Sequence, residues 1–231
     1  MAQSDQIYAL MDEISHCTAC PRLVEWRERV AVEKRAAYAD EIYWGRPVPS
    51  FGDPDARILV VGLAPAAHGG NRTGRMFTGD RSGDWLYGSL FRTGFANQPT
   101  SISKDDGLAL SGVWITAPVH CAPPDNKPTT EERDSCFPYL LREMGLLTSV
   151  TVLVALGGFA WDAALRAAVS LGCERVRPKP RFGHGSEVDL GRLKLVGSYH
   201  VSQQNTFTGR LTEPMLDAVF LRARALSEER P

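Results

Sequence analysis

The sequence predicts an α/β domain built on a mostly parallel sheet of four strands. Three observations lead there. Short apolar runs recur at 57–63, 113–116, 150–156 and 193–197, and they are nearly continuous rather than alternating, as in strands buried on both faces. Helix-like stretches at 84–92, 130–144 and 159–171 separate them, which is the alternation of a parallel sheet. Segments unlike any core follow the strands, at 64–70, 118–124 and 199–205, where open α/β sheets bind their ligands.

The elements justify themselves in turn. The first fifty residues, with Cys17 and Cys20, read as a helical preface packed on the sheet within one domain spanning 1–231. Thr129 or Thr130, followed by Glu132 or Arg133, forms a capped helix start. From Thr212 onward Met215, Leu216, Val219 and Phe220 make the apolar face of a closing amphipathic helix. The chain has no internal repeat or low-complexity segment.

Composition sets the broad class. With 43% hydrophobic and 23% charged residues over 231 positions, the chain is long enough for one sizeable core. No apolar run reaches membrane-spanning length, and the opening MAQSDQIYALMDEISHC carries acids and no basic leader, so a cytoplasmic protein without membrane contact is expected. The net charge of −1 means that any nucleic-acid binding rests on local basic surfaces. One basic run, Arg175 to Arg181, is either a solvated loop or a phosphate contact.

Five cysteines in a reducing compartment point away from disulfides. Cys17 and Cys20 form a CxxC followed by proline, and Cys121 and Cys136 supply a second pair separated by fourteen residues. Four thiolates close a tetrahedral zinc site or hold the corners of an iron–sulfur cluster, with unrelated buried cysteines as the remaining reading. Cys173 reads as a small buried hydrophobe near a helix end.

Three segments are more particular than turns. GLAPAAHGGNRTGRMFTGD at 62–80 closely resembles the first motif of the family 5 (type b) uracil-DNA glycosylases, and HVSQQNTFTGRLT at 200–212 resembles their second. CAPPDNKP at 121–128 is similar to that family's segment after the second strand, and the cysteine spacing resembles its four-cysteine ligation. The resemblance runs from Cys17 to Thr212. It implies a three-layer α/β/α fold and a structural [4Fe-4S] cluster on Cys17, Cys20, Cys121 and Cys136. It also implies duplex DNA as partner and excision of uracil and other deaminated bases such as hypoxanthine and xanthine.

Such a reaction requires the nucleotide to swing out of the stack into a pocket. By resemblance Phe77 stacks on the flipped base, with Ala64 and Ala66 beside it; otherwise it is a core phenylalanine. His200, beyond the fourth strand, is placed as a neutral donor to O2 of departing uracil, stabilising charge that appears only in the transition state. Asn126 reads the base edge or is a turn residue. Asp80 positions water, stabilises the sugar cation, or caps a helix. Sister families place a polar residue directly after the first strand, and another relative has asparagine at position 117. This chain has Leu63, Ala64, Pro65 and Ala66 in the first place and Ala117 in the second, which favours a dissociative route driven by leaving-group stabilisation. Gly69, Gly70, Asn71, Gln204 and Asn205 are expected at the DNA backbone, and Arg210 and Leu211 on a loop that wedges into the vacated stack.

Three alternatives stand beside this reading: a glycosylase restricted to uracil, an iron–sulfur or zinc nucleic-acid binding module without excision activity, and a nucleotide-binding enzyme on a similar scaffold. The absence of a GxxxxGK loop counts against the last. A monomer is the simplest expectation for an enzyme that scans DNA.

Overall fold

The computed structural model describes residues 3–229. The preface forms α1 (Gln3–Ser15) and α2 (Pro21–Glu33), and the sheet begins with β1 (Phe51–Gly52) and β2 (Ile58–Val61). A short helix, α3 (Gly70–Thr73), and a longer one, α4 (Arg81–Arg92), precede β3 (Val113–Thr116). Then come α5 (Thr130–Leu146), β4 (Val152–Leu156), α6 (Gly158–Ser170), β5 (Glu187–Asp189) and β6 (Lys194–Ser198). The chain closes with α7 (Gln203–Phe207) and α8 (Glu213–Glu228).

The strand order is β1-β3-β2-β4-β6-β5. The four expected strands are the inner four and run parallel. The sheet itself has six, because β1 and β5 add antiparallel edges. Neither edge leaves a trace in the hydrophobic pattern: β1 spans two residues, and Glu187-Val188-Asp189 has a single apolar position.

Every residue of β2, β3 and β4 is buried, which explains their unbroken apolar runs. Leu59, Val61, Leu153 and Ala155 face the layer of α1, α5 and α6, while Ile58, Val60, Val152 and Val154 face that of α4 and α8. In the closing helix Leu216, Val219 and Phe220 are buried, with Met215 packed partly against them. Cys173 is buried just after α6. The helix starts are chemically specified. Thr129 and Glu132 form a reciprocal capping box at α5, and Asp80 caps α4 by accepting from the backbone N–H groups of Ser82 and Gly83.

The preface is tied to the sheet domain by charge as well as apolar contact. Arg22 on α2 donates twice to Glu132 at 2.7 Å, and Arg142 on α5 twice to Glu13 on α1 at 2.6 Å. Ile7, Leu10, Met11 and Ile14 form the buried stripe of α1.

One polar knot lies inside. The wholly buried carboxylate of Glu143 accepts from Trp114 Nε1 at 2.5 Å and from Thr116 Oγ1 at 2.6 Å. Thr116 in turn accepts from Ser50. Replacing Glu143 with alanine orphans two buried donors. Glu143→Ala is therefore expected to lower the free energy of unfolding by roughly 3 kcal/mol in urea titrations.

Candidate active site

Strand register lines up the carboxyl ends. Val61 pairs with Thr116 and with Ala155, and Ala155 pairs with Gly197. Four loops therefore leave the sheet from one edge, and a pocket of about 670 Å³ opens among them. Ala64, Ala66, Phe77, Asp80, Asn126, His200, Gln204, Asn205 and Arg210 line it. Gly69, Gly70, Asn71 and Leu211 do not.

The loop after β2 places its side chains by close packing. Phe77 holds φ 52, unusual for a residue with a side chain. Its ring lies over Gly62, where a Cβ would come within 2.8 Å of Cζ. Its carbonyl oxygen lies 1.9 Å from where a Cβ on Gly83 would sit. Gly69 likewise makes room for Asp80, whose Oδ2 is 2.0 Å from a hypothetical Cβ there. Phe77 is half-buried, packing on the core below and lining the pocket above. Asp80 also has two functions: Oδ1 caps α4 at 2.9 and 3.1 Å, and the carboxylate lines the pocket. Burial raises its pKa, partly opposed by the backbone donors of Gly83 and Ser82.

His200 stands opposite Phe77, with ring centroids 6.3 Å apart. Among the described residues no protein group hydrogen-bonds its ring. Burial pushes its pKa down from the ordinary 6.5 to about 4, so the imidazole is neutral at physiological pH. Asn205 fixes this segment from below, its Nδ2 donating to the His200 carbonyl at 2.8 Å. Asn126 is exposed at the pocket edge, and with Asp125 it adopts the left-handed conformation that asparagine tolerates.

Two expectations at the DNA face are corrected. Leu211 has no exposed surface and belongs to the core beneath α8, so its side chain cannot wedge into a duplex. Asn71 is also fully buried: its Nδ2 donates to the carbonyl of Arg27 on α2, turning inward rather than toward phosphate. Gly69 and Gly70 are buried with it, serving close approach to Asp80 and Pro65.

Several pocket residues were not singled out from sequence. Phe182, Tyr199, Arg81 and Gly157 complete the wall. Tyr199 adjoins His200 and Arg81 adjoins Asp80 in chain order, a proximity that was available to find them. Phe182 lies in a loop without periodicity and had no such signal.

In a second cavity, Cys17, Cys20, Cys121 and Cys136 line the wall with His120, Arg27 and Tyr139. Burial pushes the Cys121 thiol up to about 11 and raises Cys136 as well. Among the described residues, no group of three His, Cys, Asp or Glu side chains would hold a metal ion, and no helix is long and apolar enough to cross a membrane.

A domain on a largely parallel sheet, with a pocket of about 670 Å³ at its carboxyl edge walled by an aromatic ring and a neutral histidine, defines a class. The family model for the Uracil DNA glycosylase superfamily matches residues 49–224. A type-5 uracil-DNA glycosylase of Mycobacterium tuberculosis is 58% identical over 216 residues, covering 93% of this chain and 79% of the relative. One from Thermus thermophilus is 51% identical over 220 residues, covering 95% and 97%. A type-4 uracil-DNA glycosylase of Thermotoga maritima is 28% identical over 193 residues, covering 83% and 79%. The chain belongs to the uracil-DNA glycosylase superfamily, in its type-5 family.

The titration of His200 gives a direct check. Its folded-state pKa lies below the ordinary value, so on acidification the unfolded chain takes up the proton first. The stability associated with the neutral ring is therefore complete above about pH 6.5 and falls toward pH 4. An NMR titration is expected to place the His200 midpoint near 4.

Proposed function

We propose that this chain excises uracil, and also hypoxanthine and xanthine, from duplex DNA by hydrolysing the N-glycosidic bond and leaving an abasic site. The observation that carries the reading is His200, neutral and with no hydrogen bond to its ring among the described residues, packed beside Phe77 on the pocket wall. The flipped base stacks on Phe77, and a ring N–H of His200 donates to an acceptor on the departing base, O2 in the case of uracil. As the bond from C1′ to the base nitrogen breaks, the electron pair passes to the base and is held by that donor. Water adds to C1′, and the proton it releases ends on the departing base anion, giving the neutral free base and the abasic sugar. Asp80 faces the sugar with the carboxylate oxygen that is free of the helix cap and orients this water. The small side chains of Ala64, Ala66 and Ala117 leave room at the base edge, which supports acceptance of the larger purines. Asn126 contacts the edge of the base from the pocket rim.

Burial of Leu211 moves the wedge elsewhere on the same loop. Phe207 is 63% exposed at the end of α7, with the Arg81 guanidinium 4.6 Å over its ring. We assign it to the gap left by the flipped nucleotide, with Arg81, Gln204 and Arg210 toward the backbone.

Four cysteine thiols lining one cavity are the donor set of a [4Fe-4S] cluster, and they support that reading. Cys17, Cys20, Cys121 and Cys136 would hold it. Bound there, it supplies cross-linking of the preface to the domain and takes no part in excision. The reading is of a monomer acting on DNA in the cytoplasm.

The test is excision from labelled duplexes carrying one uracil, hypoxanthine or xanthine, followed by alkaline cleavage. The wild type is expected to cut all three, and His200→Ala to lose about a hundredfold or more in rate on uracil. No cleavage by folded, iron-loaded protein would instead favour a binding module, and cleavage of uracil alone would restrict the specificity. Phe207→Ala is expected to lower duplex excision about tenfold and leave excision from single strands unchanged; an equal loss on both would remove the wedge assignment.

A further inference from the structure

Three arginines are buried among the described residues: Arg27, Arg72 and Arg75. Two have close carboxylate partners, Arg72 in Glu41 and Arg75 in Asp106 at 2.8 Å. Arg27, only 3% exposed, has none at hydrogen-bonding distance. Glu28 lies 3.7 Å from Nη2 and is itself 60% exposed, and Arg27 Nε is buried with no partner. Nη1 instead donates to the Cys17 carbonyl at 3.1 Å and to Cys121 Sγ at 3.0 Å. A cation taken out of water with only a solvent-exposed carboxylate at 3.7 Å to offset it is costly, and the four-cysteine cavity that Arg27 lines is where a closer anion belongs.

We infer that Arg27 is the fixed countercharge of the iron–sulfur cluster, a positioning residue that shields the cluster from oxidation and joins its two ligand pairs. The inference rests on the cluster reading given above. Four thiolates around the resting cluster leave a net negative unit, and its potential is set by charge and by hydrogen bonds to sulfur. A guanidinium touching Cys121 Sγ makes removal of an electron harder and addition easier. Its second contact, to the Cys17 carbonyl, links one cysteine of the CxxC pair to one of the later pair. Arg27 also carries the carbonyl that receives Asn71, so its backbone is anchored independently of its side chain.

The test compares wild type, Arg27→Lys and Arg27→Met by iron analysis, visible absorbance and spectroelectrochemical titration. Wild type is expected to carry about four irons per chain. Arg27→Met is expected at a more negative potential, with Arg27→Lys between, and with iron release to a chelator in air faster by about tenfold or more. If Arg27→Met does not retain a cluster, the potential and release rate of Arg27→Lys against wild type decide. Unchanged potential and unchanged release would overturn the countercharge. Absence of iron from the wild type would overturn the cluster itself, a separate outcome.

Discussion

The site depends on a steric constraint: the loop between β2 and α4 is packed so tightly that three of its contacts exclude a side chain. Gly62 lies under the Phe77 ring, Gly83 against the Phe77 carbonyl, and Gly69 against the Asp80 carboxylate. Phe77 is thereby held in a conformation that few residues with side chains adopt. The aromatic wall and the acidic group are thus fixed before any ligand arrives. What the loop spends in conformational freedom is recovered as a pocket that needs no rearrangement of these two groups.

The inner sheet was legible because a strand buried on both faces has no room for polar residues, so its hydrophobic run marks its length. β2, β3 and β4 show this directly. The edge strands were not legible because one of their faces meets water or their pairing is too short. The site was legible as motifs but less so in orientation. Asn71 and Leu211 have the chemistry expected of a DNA face, yet both point inward. A string of residues gives order along the chain, whereas a short turn such as 209–211 reverses which side a residue shows. Arg27 was invisible for a related reason: on α2 it is one of several arginines, and only burial beside Cys121 distinguishes it.

Charge is distributed in a way the whole-chain balance conceals. The chain carries −1 overall, yet Arg81 and Arg210 flank the pocket, each stacked over an aromatic ring, Phe207 and Tyr199 respectively. Stacking leaves a guanidinium its edge for phosphate while covering its face with carbon. A pair of cations held this way gives local attraction for a backbone without making the rest of the surface basic.

The four-cysteine cavity has a consequence for the unfolded protein. It gathers Cys20 and Cys121, which are 101 positions apart, and the intervening chain contains half the sheet. A covalent closure of that span weighs on the denatured ensemble more than on the native one, because a loop of about 100 residues loses on the order of 5 kcal/mol of freedom when its ends are joined. A cluster bound as proposed would work as a clasp whose effect is greatest when the protein is open.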